Sequence, residues 1–286
     1  HQLNLSGGYT FSQRTKLTGS LSYGRNTQNE PYMVDAPLMR TPAPVGSLDG
    51  VVVNTHADLK LTDRTTKDLM LSAALRYDER DNRTPSNIYN YTSIAVSGAH
   101  DINAPNAPLS FRKAIIEFAG DYRLTKLQKL RVDFTHEDVS RWCNQYAVNA
   151  AYPAGTNCVV ATGHREDRIG ANYKLKASDA LDLTFGYSLA DRKTDSDPNA
   201  ILNFVSINGG GVKGLNAGDF VGFYPYFNAS RTQQALKARA NWQVNERFSL
   251  DFSGKVSADD YDSTYGVQKG NTWNANIDAT YAYSEN

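Results

Sequence analysis

The stretch Leu3–Tyr23, LNLSGGYTFSQRTKLTGSLSY, alternates polar with apolar or glycine residues on both sides of a short polar turn. The apolar positions run from Leu3 to Phe11 and again from Leu17 to Tyr23, with Ser12–Thr15 between them. Successive side chains of a β-strand point to opposite faces of the sheet. The stretch therefore predicts a hairpin with one apolar face and one polar face.

The same pattern of turn and flanking strands recurs along the chain. Short polar turns are predicted near residues 12–15, 62–66, 125–127, 177–180 and 245–247, with a further one at the chain end. Long connections are predicted at residues 26–50, 80–108, 142–163, 193–231 and 261–270. Short turns that alternate with long loops are typical of outer-membrane β-barrels, whereas a soluble sandwich shows turn signals every ~8–12 residues.

This alternation predicts an all-β, antiparallel, up-and-down transmembrane barrel segment of 11 strands over residues 1–286. Its strands of roughly 9–13 residues match the ~9–11 that a tilted strand needs to cross a bilayer. The apolar face carries almost no charge, and an Arg or Lys there would cost about 2–4 kcal/mol at the midplane. Aromatic residues gather where that face meets the short turns, as in an interfacial girdle: Phe11, Tyr122, Tyr173, Trp242, Phe248, Tyr281 and Tyr283.

The opposite face carries both signs of charge, which a hydrated or protein-filled lumen accepts and a packed core does not. The residues expected to make lumen-facing contacts are Arg76, Asp78, Glu117, Arg123, Lys174, Lys237, Arg239 and Lys255. The rival interpretation is a soluble twisted sheet or solenoid whose apolar face covers a second layer. No amphipathic helix or other second layer is visible in the sequence.

Composition agrees with a strand-built membrane protein. The mean hydropathy is −0.52, and no apolar run reaches the ~18 residues of a transmembrane helix. Thirty basic and thirty acidic residues cancel, which gives no support for a nucleic-acid partner. The chain starts at His1 without a leader, as a mature or excised piece would.

No residue set predicts catalysis, a metal site or a cofactor bound by this chain. The two cysteines, Cys143 and Cys158, lie in one predicted loop, and neither begins the C-x-x-C-H motif of covalent haem attachment. A disulfide between them would close a loop at a gain of about 3 kcal/mol. A metal or redox pair is the alternative, although His136 and His164 lack ligand spacing.

The opening residues HQLNLSGGYTFSQRTKLTGSLSYGRNTQNEPYM (1–33) resemble the MtrB/PioB family of decahaem-associated outer-membrane proteins. The hairpins DLKLTDRTTKDLMLSAALRYDERDNRTP (58–85) and WQVNERFSLDFSGKVSADDYDSTYG (242–266) are similar in style. Bacterial single-chain barrels have even strand counts, so eleven predicted strands mean either that one strand is missed or that the chain is part of a longer barrel, and we favour the second. The resemblance covers the whole chain as an internal-to-late portion of a larger barrel.

What the resemblance implies is a wide barrel that sheathes a periplasmic multihaem c-type cytochrome. Such barrels often meet a second, cell-surface multihaem cytochrome, so that electrons cross the outer membrane. The haem c would belong to the partner cytochrome, and the barrel would supply insulation and position. A barrel closed from eleven strands alone would have a backbone diameter of roughly 22 Å, which is too narrow for a folded cytochrome. The alternative function is a diffusive porin or substrate-specific channel.

Overall fold

Thirteen β-strands make up the elements of the computed structural model, which describes residues 1–32, 43–95, 98–144, 158–159, 161–196, 229–263 and 267–283. The strands are β1 (Gln2–Thr10), β2 (Thr15–Gln28), β3 (Gly50–Asp63), β4 (Leu69–Asn82), β5 (Ile88–Ala95), β6 (Gly98–Pro105), β7 (Leu109–Arg123), β8 (Gln128–Cys143), β9 (Ala161–Lys176), β10 (Leu181–Ser196), β11 (Ser230–Asn245), β12 (Phe248–Asp262) and β13 (Lys269–Tyr281). Within these residues, no helix is long and apolar enough to cross a membrane.

Eleven of the strands form one antiparallel sheet in the order β1-β2-β3-β4-β7-β8-β9-β10-β11-β12-β13. The predicted number of membrane strands and the all-β class are therefore confirmed. Each strand is hydrogen-bonded to its neighbours along the chain, except that β4 pairs with β7. The two edge strands, β1 and β13, are not hydrogen-bonded to each other, so the sheet is an open wall rather than a closed tube.

The strands β5 and β6 form a separate two-stranded sheet inside the connection expected to be a loop at residues 80–108. This part of the prediction is wrong. The segment IYNYTSIA of β5 is rich in β-branched and aromatic residues, which favour strands. At 8 residues it is too short to cross a bilayer, so a pattern of membrane-length strands does not predict it.

Tight turns join the strands at one end of the sheet, which we call the short-turn end. Ser12 shows how: its Oγ accepts hydrogen bonds from the backbone N–H groups of Arg14 and Thr15. At the other end, the long-loop end, strands run further than the sequence predicts. β10 continues through Ser196 although a loop is predicted from residue 193, and β11 begins at Ser230 although that loop is predicted to end at residue 231.

The apolar face is open to its surroundings. Its side chains keep large exposed fractions, such as 55% for Phe118, 55% for Ile169 and 50% for Val256. Within the described residues, the extensive contacts between elements are all between neighbouring strands of a sheet, so neither a helix nor a second sheet packs over this face. An uncovered apolar surface of this extent is unsuited to water and suited to lipid.

The apolar band has a defined height. On β12 it runs from Leu250 to Ala258, and Asp260 follows on the same face. Nine residues at ~3.4 Å each and a tilt of ~40° rise about 23 Å, close to the ~25 Å band of outer-membrane barrels. On β9 and β10 the apolar residues of this face are followed by Asp167 and Asp191, which lie directly opposite each other. The extra strand length beyond the band therefore stands in the headgroup region or above it.

The two faces of β2 offer a direct test with adjacent residues. Leu21 faces outward and is 45% exposed, whereas Ser20 faces the other way, opposite Asp58. We expect Leu21→Arg to lower the free energy of unfolding by about 2–4 kcal/mol, because it places a guanidinium in hydrocarbon. Denaturant unfolding of the full-length protein in phospholipid vesicles measures this.

Ser20→Arg is the matched control. It adds the same side chain to the polar face beside a carboxylate, so we expect a change below about 1 kcal/mol. Equal losses in the two variants would mean that the apolar face does not meet lipid.

Candidate functional site: the polar face

The candidate site is the polar face of the sheet. Charged side chains line this face on strands β2 to β4 and on the seven neighbouring strands β7 to β13. All eight residues predicted to face the lumen alternate onto this face. Five of them have partners: Arg76 with Asp58, Asp78 with His56, Glu117 with Arg131, Arg123 with Asp68, and Arg239 with Asp251. The other three, Lys174, Lys237 and Lys255, have no carboxylate oxygen within 4.0 Å among the described residues.

Two consecutive cross-strand rows toward the short-turn end are strongly cationic. One further row separates them from the turns, and it carries three carboxylates: Lys176, Asp182, Asn241, Asp251 and Asp278. The first row, from β7 to β13, is Arg123, Lys129, Lys174, Thr184, Arg239, Ser253 and Asn276. The second row is Asp121, Arg131, Asn172, Gly186, Lys237, Lys255 and Asn274. Together they hold seven cations and one carboxylate, so this zone of the wall has a large positive excess.

Small side chains occupy the next row toward the long loops: Ala119, Asp133, Gly170, Ser188, Ala235, Ser257 and Thr272. Asp133 is the exception, and its side chain is only 6% exposed. Arg168 holds it with a 2.9 Å contact from Nη2 to Oδ2. Gly170 lies beneath that carboxylate, since a Cβ there would stand 3.0 Å from Asp133 Oδ2. Glycine thus makes room for the buried acid.

Above the small residues the charges are paired. Glu137 accepts from Lys113 Nζ at 2.6 Å and from His164 Nε2 at 3.1 Å. Arg231 bridges two strands, with Nη2 at 3.3 Å from Glu166 Oε2 and Nη1 at 3.1 Å from Asp259 Oδ1. Asp259 is buried. These contacts join β7, β8, β9, β11 and β12 across the wall, and opposite charges in such a network balance locally.

Several members of this network fall outside the predicted site. Arg231 and Asp259 lie on the polar face of strands β11 and β12, but the sequence places Arg231 in a loop. The same alternation, continued past the apolar band, would have found both residues. Their pairing needs the register, because each partner lies on another strand.

The cysteines lie at the long-loop end. Cys143 is the last residue of β8 and is disulfide-bonded to Cys158, with a Cα–Cα distance of 6.1 Å. The neighbouring Asn144 donates from Nδ2 to Asp81 Oδ1 at 2.6 Å and to the Asn82 carbonyl at 2.9 Å. The start of this connection is therefore fastened to β4. Within the described residues, no group of three or more His, Cys, Asp or Glu side chains could hold a metal ion.

The geometry of a one-sheet wall with an apolar outer face and a charged inner face agrees with the comparison to known families. Residues 1–286 match the family model described as "Putative outer membrane beta-barrel porin, MtrB/PioB". The chain belongs to the MtrB/PioB family. It is a protein of the bacterial outer membrane, and the predicted family and location are confirmed.

Two individual proteins show the extent of this similarity. The outer membrane protein MtrB of Shewanella baltica (strain OS185) is 23% identical over 97% of this chain. The chain spans 36% of the length of that relative. The FrpB iron transporter from Neisseria meningitidis (F3-3 variant) superposes with a TM-score of 0.56 at 14% identity, over 99% of this chain and 42% of that one. This second likeness concerns the fold alone.

The buried acid gives a test of the polar face. We expect Arg168→Met to lower the free energy of unfolding by about 1–3 kcal/mol, because Asp133 then keeps only Arg131, at 4.0 Å. Adding Asp133→Asn should recover most of that loss, since no buried charge is left. Denaturant unfolding of the single and double variants measures the coupling, expected to be about 0.5–3 kcal/mol.

An exposed pair of the same type is the control. Arg76 and Asp58 have side chains that are 60% and 40% exposed, so Arg76→Met should change stability by at most about 1 kcal/mol. If Arg168→Met lowers the free energy of unfolding no more than Arg76→Met does, the buried carboxylate of Asp133 does not depend on Arg168 for the stability of the wall.

Proposed function

We propose that this chain forms part of the wall of an outer-membrane barrel that sheathes a periplasmic multihaem c-type cytochrome. The barrel positions that cytochrome for electron transfer across the outer membrane. The observation that carries the proposal is the open sheet, with a broad inner face that bears charges of both signs. Such a wall suits a lumen wide enough to hold a folded protein.

Strand direction supports a wide barrel. Eleven alternating strands leave β1 and β13 running in the same direction, so they cannot close the antiparallel pattern by pairing with each other. Further strands restore the alternation and widen the tube. Twice as many strands would give a backbone diameter of roughly 44 Å, which is wide enough for a small folded domain.

The chain's own residues support a positioning role rather than a redox role. Both cysteines are taken up by the disulfide, so neither offers a thiol for covalent haem attachment. The charged rows and networks of the polar face supply what a hydrated protein–protein contact needs. The haem c of the partner would carry the electrons, and the barrel would keep it from lipid. A cell-surface multihaem cytochrome would then meet the barrel at its long loops.

The second candidate is a diffusive porin or substrate-specific channel. It is favoured by the family description, which names a porin, and by the charged inner face, which would line a water-filled pore equally well. The two functions differ in what fills the lumen. A sheath is plugged by its cytochrome, whereas a porin is open to small solutes.

The test is to purify the intact native protein from outer membranes in mild detergent. We expect stoichiometric c-type haem absorption in the visible spectrum and little ion conductance in planar bilayers. Removing the bound cytochrome from the same preparation should open the conductance, which serves as the internal control. A haem-free barrel that conducts ions as isolated would contradict the sheath and support the porin.

A further inference from the structure

Four lysines of the two cationic rows form a compact set on the polar face: Lys129, Lys174, Lys237 and Lys255, called here the lysine set. They come as two directly opposed pairs, Lys129 with Lys174 across β8–β9 and Lys237 with Lys255 across β11–β12. Like charges directly opposite in an antiparallel sheet are destabilising. The wall nevertheless holds two such pairs close together.

The arginines of the same rows behave differently. Arg123, Arg131 and Arg239 each contact a carboxylate, at 2.9 Å for Arg123 with Asp68 and 2.8 Å for Arg131 with Asp121. None of the four lysines has a carboxylate oxygen within 4.0 Å among the described residues. Within the described residues, the arginines of this zone therefore have direct carboxylate partners, whereas the four lysines have none.

The space between the two lysine pairs is shallow. Thr184 and Gly186 of β10 lie between Lys174 on one side and Arg239 and Lys237 on the other. Gly186 has no side chain, and the row above consists mostly of small residues, Ser188 and Ala235 among them. The amide of Asn172 lies over Gly186, where a Cβ would stand 2.6 Å from Asn172 Oδ1. The ground between the two pairs is therefore short and polar, and the lysines flank it on both sides.

We propose that the lysine set is a docking surface for an acidic patch on the protein enclosed by the barrel. This inference rests on the proposed function. The spacing favours a protein surface over a single small anion. Opposed residues lie ~5 Å apart, and the two pairs are separated by two strand spacings of about 10 Å. Four amines spread over that area match several carboxylates on a partner rather than one phosphate or carboxylate group.

Lysine suits such a contact. Its ammonium is a mobile point charge on a long stem, whereas the guanidinium of arginine fixes a carboxylate in a planar fork. The arginines would hold the wall together, and the lysines would adapt to the partner. The attraction would weaken as salt is added, because partly exposed charges are screened.

The experiment compares two double variants in the full-length protein, purified with its bound cytochrome. Lys237→Glu with Lys255→Glu reverses one opposed pair. Lys193→Glu with Lys269→Glu, on the outward face near the long loops, changes net charge equally and is the control. The ratio of c-type haem to barrel is measured over rising salt. We expect the first variant to lose its haem at about tenfold lower salt than the wild type, and the control to behave as the wild type.

Every outcome decides between the alternatives. A wild type that carries no haem overturns the proposed function itself. A wild type with haem and an unchanged Lys237→Glu/Lys255→Glu variant overturns only the docking surface. Haem-free barrels in which this variant reverses the anion preference of the conductance point to a porin with small-anion selectivity. If the Glu variant does not reach the membrane, the milder Lys237→Gln/Lys255→Gln variant decides by the same salt series, with a smaller shift in the same direction.

Discussion

The structure depends on one constraint: in hydrocarbon, every backbone N–H and C=O must be hydrogen-bonded within the protein. Ten antiparallel ladders satisfy this along the main sheet from β1 to β13. They leave only the outer edges of β1 and β13 without a strand partner among the described residues. Those two edges run in the same direction, so closing this sheet with antiparallel pairs throughout would take an odd number of further strands.

The second consequence is the separation of the two faces. Since each ladder fixes the alternation, the outward face needs only to be apolar over the height of the hydrocarbon, and its side chains need no specific partners. The inward face is different. Its charges stand in cross-strand rows, so the identity of each neighbour decides whether a charge is paired. The zones of unpaired lysines, small residues and paired charges follow from the register, not from composition.

Much of this fold is predictable from the sequence. The period of two in Leu3–Tyr23 recurs in every membrane strand, and it predicts the strand count and the faces of all eight expected lumen residues. It fails above the apolar band, where the outward face becomes charged and the contrast between faces disappears. The pattern therefore places Arg231 in a loop, and it does not predict the β5–β6 hairpin, whose strands are only 8 residues long. The burial of Asp133 is also invisible in sequence, because it depends on Gly170 and Arg168 of the next strand.

A polar face whose charges are all paired within the sheet needs no further partner to balance them. The network of Arg231 with Glu166 and Asp259 is of this kind, and its role is to join strands above the apolar band. The opposed lysines have no carboxylate partner within the sheet, and the repulsion within each pair destabilises the sheet. A wall that retains such pairs is stabilised when an anionic surface lies against them. The docking surface proposed above therefore implies that occupancy of the lumen by an acidic partner and stability of the wall are coupled.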